Sequence, residues 1–385
     1  GKCVAGVKMS QDSLVKMMRG PSGTTVNLTV QRDGQKVDFE IQRGKIPVKS
    51  IDVAYMIDDT TGYIKLSKFT KMSYMEFSFA MLSLRQQGVK RLLFDLRDNT
   101  GGYLDQALLM ANEFLKKGEL IVYMQGLHRS RQDFNADGRG AYQDIELAVL
   151  INENSASSSE ILAGAIQDND RGVIYGRRSH GKGLVQEPIY FSDNSGVRLT
   201  VARYYTPTGR FIQRPYVHGD EEGYHSDIYE RYMHGEMTEA DSIPKNDSLK
   251  FVTKGGRVVY GGGGIIPDVF VPIDTVGVTD FLVKLNRHSA QVKFSIEVSD
   301  LFRKELQKVE DLEQLEKLLD SMNLEQRFRG YLKRNSIGIN ERQWRESEEV
   351  FMTQIRAMVG RYSKLEDYAF YPIMDDIDNV IQIAK

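Results

Sequence analysis

The sequence is poor in several features that mark particular classes of protein. Its 385 residues include a single cysteine, Cys3, which excludes an intrachain disulfide and a zinc site built from several cysteines. No apolar run approaches the roughly 20 residues that a membrane-spanning helix needs. The 51 basic and 53 acidic side chains leave a net charge of −2, without a basic block, so the charge gives no reason to expect a nucleic-acid partner.

The composition is that of a globular protein, with 41% hydrophobic and 27% charged residues. A chain of this length is expected to form two or three domains. It opens Gly1-Lys2-Cys3-Val4 rather than with the methionine, basic stretch and apolar core of a signal peptide. The expectation is therefore a cut made inside a longer protein.

Residues 1–46 predict one helix followed by a hairpin. The helix spans about 10–19 and is opened by Ser10, and the strands Thr25–Gln31 and Lys36–Gln42 meet at the turn Asp33-Gly34. One helix and one hairpin make a poor hydrophobic core by themselves.

Residues 47–275 predict an α/β core. Strand and helix patterns alternate from about 60 to 210, which indicates a partly parallel sheet. The apolar runs at 92–94 and 147–151 are typical of central strands that are covered on both faces. A polar stretch at about 216–255 predicts a surface insertion. Residues 286–385 predict a helical C-terminal region, either a cap or a contact in a homo-oligomer.

Ser157 is the candidate nucleophile. The segment Ser155-Ala156-Ser157-Ser158-Ser159-Glu160 joins a buried strand to a helix N-terminus, where open α/β sheets present ligands. Free backbone N–H groups at a helix start can receive a developing oxyanion. The same residues also fit a capping box, Ser157-x-x-Glu160, which would give Ser157 a structural role at the start of the helix and no catalytic one.

Lys182 is the candidate general base, because a serine needs a group that takes its proton. It lies in the segment 181–186, GKGLVQ, where two glycines allow the backbone to pass close to another element. In an extended segment Gln186 would point to the same face as Lys182 and orient its amine. A lysine with the ordinary pKa near 10.4 is almost wholly protonated at pH 7, so a water-poor site is expected. A solvated lysine in a surface glycine loop is the alternative.

A glycine loop supplies the third candidate. The segment 95–102, DLRDNTGG, follows another buried strand and precedes a helix. It should emerge at the same edge of the sheet as Ser157, where Gly101 and Gly102 could offer backbone N–H donors. Read alone, the two glycines are only a turn.

Taken together, the three segments resemble the signatures of the carboxyl-terminal processing (tail-specific) serine proteases, which are DLRxNxGG, SASxSE and GKGxVQ in this order. The resemblance covers about residues 1–275 and implies a crotonase-like (ClpP/crotonase-type) α/β protease core. Segments 202–210 and 261–268 also look like the family, and residues 1–46 look like the C-terminal half of a PDZ domain. Two positions depart from its usual pattern: His180 stands for an aromatic residue and Ser158 for an alanine.

The resemblance also implies roles for individual residues. Ser157 is the expected nucleophile, Lys182 the base and Gln186 its supporting amide. The backbone N–H groups of Ser158 and of Gly101 or Gly102 are the expected oxyanion donors. No cofactor and no metal is implied. The expected substrates are proteins or peptides with apolar C-termini, and the expected location is a bacterial cell envelope, most simply the periplasm.

Two rival functions stay open at the sequence level. A hydrolase that pairs Ser157 with His180 is one, since histidine has the better unperturbed pKa for a base, although no acidic third member is placed by a motif. A non-catalytic peptide-binding scaffold on the same fold is the other, although both Ser157 and Lys182 are present.

Two candidate metal sites are weaker. Residues 133–138, DFNADG, match the first six positions of an EF-hand loop, but the twelfth is Asp144 and strands are expected around it, which favours a hairpin turn. His225 and His234 lie among acidic residues, where a solvated insertion is the simpler interpretation.

Overall fold

The computed structural model describes residues 2–32, 34–46, 48–217, 219 and 221–385, without the side chain of His225. The chain divides into two compact units, Gly1–Lys49 and Ser50–Lys385. Within the described parts, no helix is long and apolar enough to cross a membrane.

The first unit contains helix α1 (Gln11–Met18) and the antiparallel strands β1 (Thr25–Arg32) and β2 (Gln35–Gln42). Ser10 caps the helix by accepting from the Ser13 N–H, and Arg43 donates to Met18 O at 2.8 Å. The predicted helix and strands are confirmed to within one residue, whereas Asp33 of the predicted turn lies outside the described residues. No residue of α1 is buried, which agrees with the poor core expected of so short a segment.

The second unit is built on a six-stranded sheet with the order β14-β9-β8-β5-β4-β3. All neighbours are parallel except the β3–β4 pair. The strands, in chain order, are β3 (Ile51–Met56), β4 (Thr61–Leu66), β5 (Arg91–Asp95), β8 (Glu146–Ile151), β9 (Val173–Gly176) and β14 (Val269–Phe270). The predicted α/β fold with a partly parallel sheet is confirmed, and β5 and β8 are its central strands.

Both faces of this sheet are covered. Helices α2 (Ser73–Gln86), α3 (Leu104–Phe114) and α4 (Ser158–Asp168) pack on one face, where Phe77, Phe94 and Phe114 share a core. On the opposite face Leu93, Ala148 and Leu150 meet Val380, Ile381 and Ala384 of the last helix, α13 (Asn379–Ala384). The two-sided burial explains why β5 and β8 are continuously apolar.

A smaller antiparallel sheet lies beside the core, with the order β10-β11-β6-β7. Its strands are β6 (Leu120–Gly126), β7 (Arg129–Asn135), β10 (Leu184–Tyr190) and β11 (Gly196–Tyr205). The polar stretch at 216–255 contains helix α5 (Glu221–Met233) and the first strand of the hairpin β12 (Lys250–Val252) and β13 (Val258–Tyr260). It is not simply a surface insertion, because Arg231, Glu236 and Met237 are buried.

The C-terminal residues form helices packed around aromatic side chains. The helices are α6 (Asp280–Arg287), α7 (Ala290–Leu301), α8 (Arg303–Leu306), α9 (Leu312–Ser321), α10 (Leu324–Arg334), α11 (Glu341–Arg361) and α12 (Asp367–Met374), followed by α13. Phe281, Phe294, Phe328, Trp344 and Phe351 form the centre of their core. By contact density these helices and the sheet belong to one compact unit.

Candidate functional site

Three loops meet at one edge of the six-stranded sheet, because the neighbouring parallel strands β5, β8 and β9 end there. They are the glycine loop (residues 96–102), the nucleophile turn (residues 152–157) and the base loop (residues 177–183). The Ala156 N–H donates to Asn99 O at 3.0 Å, and the His180 N–H donates to Ser155 O at 3.0 Å. The nucleophile turn is therefore held between the other two loops, and the predicted convergence of the three segments is confirmed.

Ser157 has a strained backbone, with φ 56° and ψ −112°. A residue other than glycine at positive φ is uncommon and costs of the order of 1–3 kcal/mol. The sharp turn places Ser157 directly before α4, the position of the nucleophile in strand–turn–helix elbows. Gly101 packs against this turn so closely that a Cβ there would lie 2.8 Å from the Ser157 Cβ and 2.7 Å from Ala156 O. Glycine is therefore required at position 101.

Glu160 connects the nucleophile turn to the base loop. Its carboxylate is fully buried and accepts four hydrogen bonds. Oε1 accepts from Ser179 Oγ at 2.5 Å and the Gly181 N–H at 2.6 Å, and Oε2 accepts from the Ser157 and Lys182 N–H groups at 2.9 and 2.8 Å. Burial raises the pKa of Glu160, an effect that these hydrogen bonds oppose.

The sequence reasoning assigned Glu160 only to a capping box. The carboxylate bond of that box is formed, since Glu160 Oε2 accepts from the Ser157 N–H. The bonds to residues 179–182 have no local sequence signal, because the partners are about 20 residues away. The Ser-x-x-Glu spacing was the one signal that could have drawn attention to this residue.

Lys182 is half-buried. The glycines on either side of it explain how its loop lies so close to the backbone at Gln213 and Arg214. A Cβ on Gly183 would lie 2.9 Å from the Gln213 nitrogen, and Gly181, at φ 83°, is 3.1 Å from the Arg214 Cβ by the same measure. The Gly183 N–H donates to Gln213 Oε1 at 2.9 Å. The predicted close approach of backbone at the two glycines is confirmed.

Gln186 does not lie beside Lys182 as an extended segment would place it. Strand β10 begins at Leu184, and a bulge separates Val185 from Gln186, so a simple two-residue alternation does not connect Gln186 to Lys182. Gln186 is exposed, with Nε2 3.5 Å from Thr200 Oγ1. In the described structure no hydrogen bond joins it to Lys182, and its supporting role stays a prediction.

The predicted oxyanion donors are not equivalent. The Gly101 N–H already donates to Asn99 Oδ1 at 2.9 Å. Among the described residues, no hydrogen bond is found from the N–H groups of Gly102 or Ser158. Ser158 Oγ donates to Gly102 O at 3.1 Å, which holds these two residues side by side. Gly102 and Ser158 are therefore the pair whose N–H groups remain available.

His180 is poorly suited to act as the base. Burial, together with the charges of Arg214 and Arg231, lowers the pKa of His180 to about 4. An imidazolium formed by proton uptake would be unfavourable among these cations. Asp227 acts on the ring only through its charge, and within the described part of the chain the ring accepts or donates no hydrogen bond to a carboxylate. The acidic third member of a Ser–His triad is absent from these contacts.

The described residues contain no group of three or more His, Cys, Asp or Glu that could hold a metal ion. The EF-hand-like segment forms the end of β7 and the bend after it, where Asp133 pairs with Arg131 and Asp137 with Asn112. His234 Nδ1 lies 2.7 Å from Glu230 O, and the side chain of His225 lies outside the described residues.

The part of the chain that contains the three loops is similar to known peptidases. Residues 60–222 match the sequence profile of peptidase family S41, and residues 281–363 match a family of unknown function. A probable CtpA-like serine protease of Staphylococcus haemolyticus is 37% identical over 213 residues, which are 55% of this chain and 42% of the relative. The protein of the same description from Staphylococcus saprophyticus is 35% identical over 213 residues, 55% of this chain and 43% of the relative.

The chain thus spans less than half the length of these curated relatives. Among solved structures, a photosystem II D1 C-terminal processing protease aligns with a TM-score of 0.43 and 25% identity, over 70% of this chain and 61% of that one.

Proposed function

We propose that the protein is a serine endopeptidase with Ser157 as nucleophile and Lys182 as general base, since residues 60–222 match the sequence profile of peptidase family S41. The observation that supports this proposal best is the shared carboxylate of Glu160. By accepting from the backbone N–H groups of both residues, it brings the strained nucleophile turn and the half-buried base loop to one point.

In the proposed mechanism, Ser157 Oγ attacks the carbonyl carbon of the scissile bond while its proton passes to Lys182 Nζ. The carbonyl oxygen becomes an oxyanion and is stabilised by the N–H groups of Ser158 and Gly102, the two that donate no other hydrogen bond in the described structure. When the tetrahedral intermediate collapses, Lys182 returns the proton to the leaving amine. Water then attacks the acyl-enzyme and loses its proton to Lys182. As the bond to Ser157 Oγ breaks, Lys182 returns this proton to Oγ, and the product leaves with a new C-terminal carboxyl group.

The substrate class is proposed by extension. The Staphylococcus relatives are described as probable CtpA-like serine proteases, and we extend this description to the present chain. The proposed substrates are proteins or peptides with apolar C-termini, and the proposed location is a bacterial cell envelope. The helix and hairpin of residues 1–46 are proposed to be the C-terminal half of a PDZ domain.

Substitution of the two reacting side chains tests the proposal. Ser157→Ala and Lys182→Ala should each abolish hydrolysis of an unfolded protein substrate, whereas His180→Ala should keep a substantial fraction of it. A fluorophosphonate probe should label the wild type and not Ser157→Ala. Chelators should leave the activity unchanged. Full activity in Lys182→Ala would overturn the dyad, and a wild type that neither hydrolyses nor reacts with the probe would favour the non-catalytic scaffold.

A further inference from the structure

Helix α5 and the turn after it contact the base loop from outside the region that matches the peptidase family, which ends at residue 222. Arg231, in the last turn of α5, donates to Arg178 O at 2.6 Å and to Ser179 O at 3.1 Å. Both carbonyls belong to the base loop. The Arg231 side chain is only 4% exposed, so water has little access to these hydrogen bonds and does not compete for them.

Glu236 holds the Arg231 guanidinium in place. Its carboxylate, also 4% exposed, pairs with Arg231 Nε at 3.1 Å and with Arg178 Nη2 at 2.7 Å. Arg178 in turn donates to Gly263 O at 2.7 Å. One buried carboxylate therefore pairs with one cation of α5 and one cation of the base loop. A buried ion pair contributes little net stability, but its geometry is specific, and removing one partner leaves the other charge buried without a partner.

The contact continues from the base loop to the nucleophile. Ser179, whose carbonyl accepts from Arg231, donates its hydroxyl to Glu160 Oε1, and the Ser179 Oγ accepts from the Ile265 N–H at 2.7 Å. Glu160 then accepts from the Ser157 N–H. The hydrogen bonds from Glu236 to Glu160 are thus all buried, and the last one, to the Ser157 N–H, is partly buried. Lys182 lies three residues beyond Ser179.

We propose that Arg231 and Glu236 are positioning residues of the peptidase: they fix the backbone of the base loop and so hold Lys182 in reach of Ser157. This inference rests on the proposed Ser–Lys function and extends it to a helix that the three sequence signatures do not include. Neither side chain needs to touch the substrate. Their effect is on the geometry of the dyad, in which a misplacement of about 1 Å can cost on the order of 100-fold in rate.

The test compares Glu236→Gln and Arg231→Lys with the matched control Glu230→Gln. Glu230 lies one residue from Arg231 on the same helix and is exposed. Among the described residues, its side chain accepts only a long 3.4 Å contact from Ser226 Oγ. Arg231→Lys keeps the positive charge beside Glu236, but an ammonium lacks the planar fork that reaches two carbonyls and a carboxylate together. Hydrolysis of an unfolded protein, fluorophosphonate labelling of Ser157 and the Tm are measured for each.

Glu236→Gln and Arg231→Lys should lower kcat by about 10- to 100-fold with KM changed less than about twofold, and should slow labelling in proportion. Glu230→Gln should match the wild type. A loss of Tm alone, with kcat, KM and the labelling rate of the folded fraction unchanged, would show a merely structural role and overturn the inference.

The role of Arg231 and Glu236 can be tested separately from the Ser–Lys function. If the wild type hydrolyses substrate and requires Ser157 and Lys182, but both variants at 231 and 236 keep the wild-type kcat, the positioning inference is wrong and the Ser–Lys function stands. If Lys182→Ala is active, the function itself is wrong. Should Glu236→Gln not fold, Arg231→Lys still decides, because it retains the charge of the buried pair.

Discussion

The backbone N–H groups of Ser157 and Lys182 donate to the same atom, Oε2 of Glu160, at 2.9 and 2.8 Å. Two nitrogens bonded to one oxygen at these distances are no more than about 6 Å apart. The proposed nucleophile and base are 25 residues apart in sequence, and their backbones are brought together by one buried side chain. The geometry of the site therefore depends on a residue that takes no part in bond making.

Replacing Glu160 should reduce catalysis without removing either reacting group. In Glu160→Gln an NH₂ group replaces one carboxylate oxygen and cannot accept the two hydrogen bonds which that oxygen accepted. Two buried N–H or O–H donors are then left without an acceptor. We expect kcat to fall on the order of 100-fold with little change in KM, and labelling of Ser157 to slow equally. Glu146→Gln, at the exposed start of β8, is the control. Wild-type kcat in Glu160→Gln would contradict the role.

The pH dependence of activity should distinguish the lysine from the histidine. Burial and two arginines lower the pKa of His180 to about 4, so its imidazole is neutral throughout the range from pH 6 to 9 and does not titrate there. Between pH 6 and 9 the kcat profiles of the wild type and His180→Ala should therefore be parallel. The measurement is kcat against pH for the wild type and His180→Ala. A limb in the wild type near pH 6 to 7 that His180→Ala abolishes would favour the histidine.

Asp378 is expected to support the glycine loop from the C-terminal end of the chain. Arg97 pairs with Asp95 at 2.7 Å and with Asp378 at 2.8 Å. Asp378→Asn keeps an oxygen to cap α13 but loses the ion pair, whose partners are partly exposed. We expect kcat to fall about fivefold, equivalent to about 1 kcal/mol. Asp376→Asn, at an exposed neighbouring position, should match the wild type, and equal effects of the two variants would refute the link.

Asp375 should make stability depend on pH. Burial raises its pKa from the ordinary 3.8 to about 7, although a hydrogen bond from the Tyr55 hydroxyl opposes the shift. Between these values the folded state binds a proton that the unfolded state has lost, so stability falls as pH rises from about 4 to about 7. Asp375→Asn should flatten the Tm profile between pH 4 and 8, whereas Asp376→Asn should not. Parallel profiles for wild type and Asp375→Asn would count against this titration.

Local patterns in the sequence determined most of the secondary structure and the location of the site. Apolar runs at 92–94 and 147–151 predicted the two central strands because strands buried on both faces must be apolar throughout. Once those strands were parallel neighbours, the segments that follow them had to emerge at the same edge. The meeting of DLRDNTGG, SASSSE and GKGLVQ followed from this rule and from their order along the chain.

The contacts that hold the site together were decided only by the tertiary structure. Arg97 and Asp378 are separated by 281 positions, and Arg231 and Ser179 by 52, so neither pair leaves a periodic or spacing signal. The bulge after Val185 moved Gln186 away from its expected position because it breaks the alternation of the strand. Sequence patterns record which face of its own element a residue occupies. Which distant side chain fills the space opposite that face depends on how the helices and the sheet pack, and packing is a property of the whole folded chain.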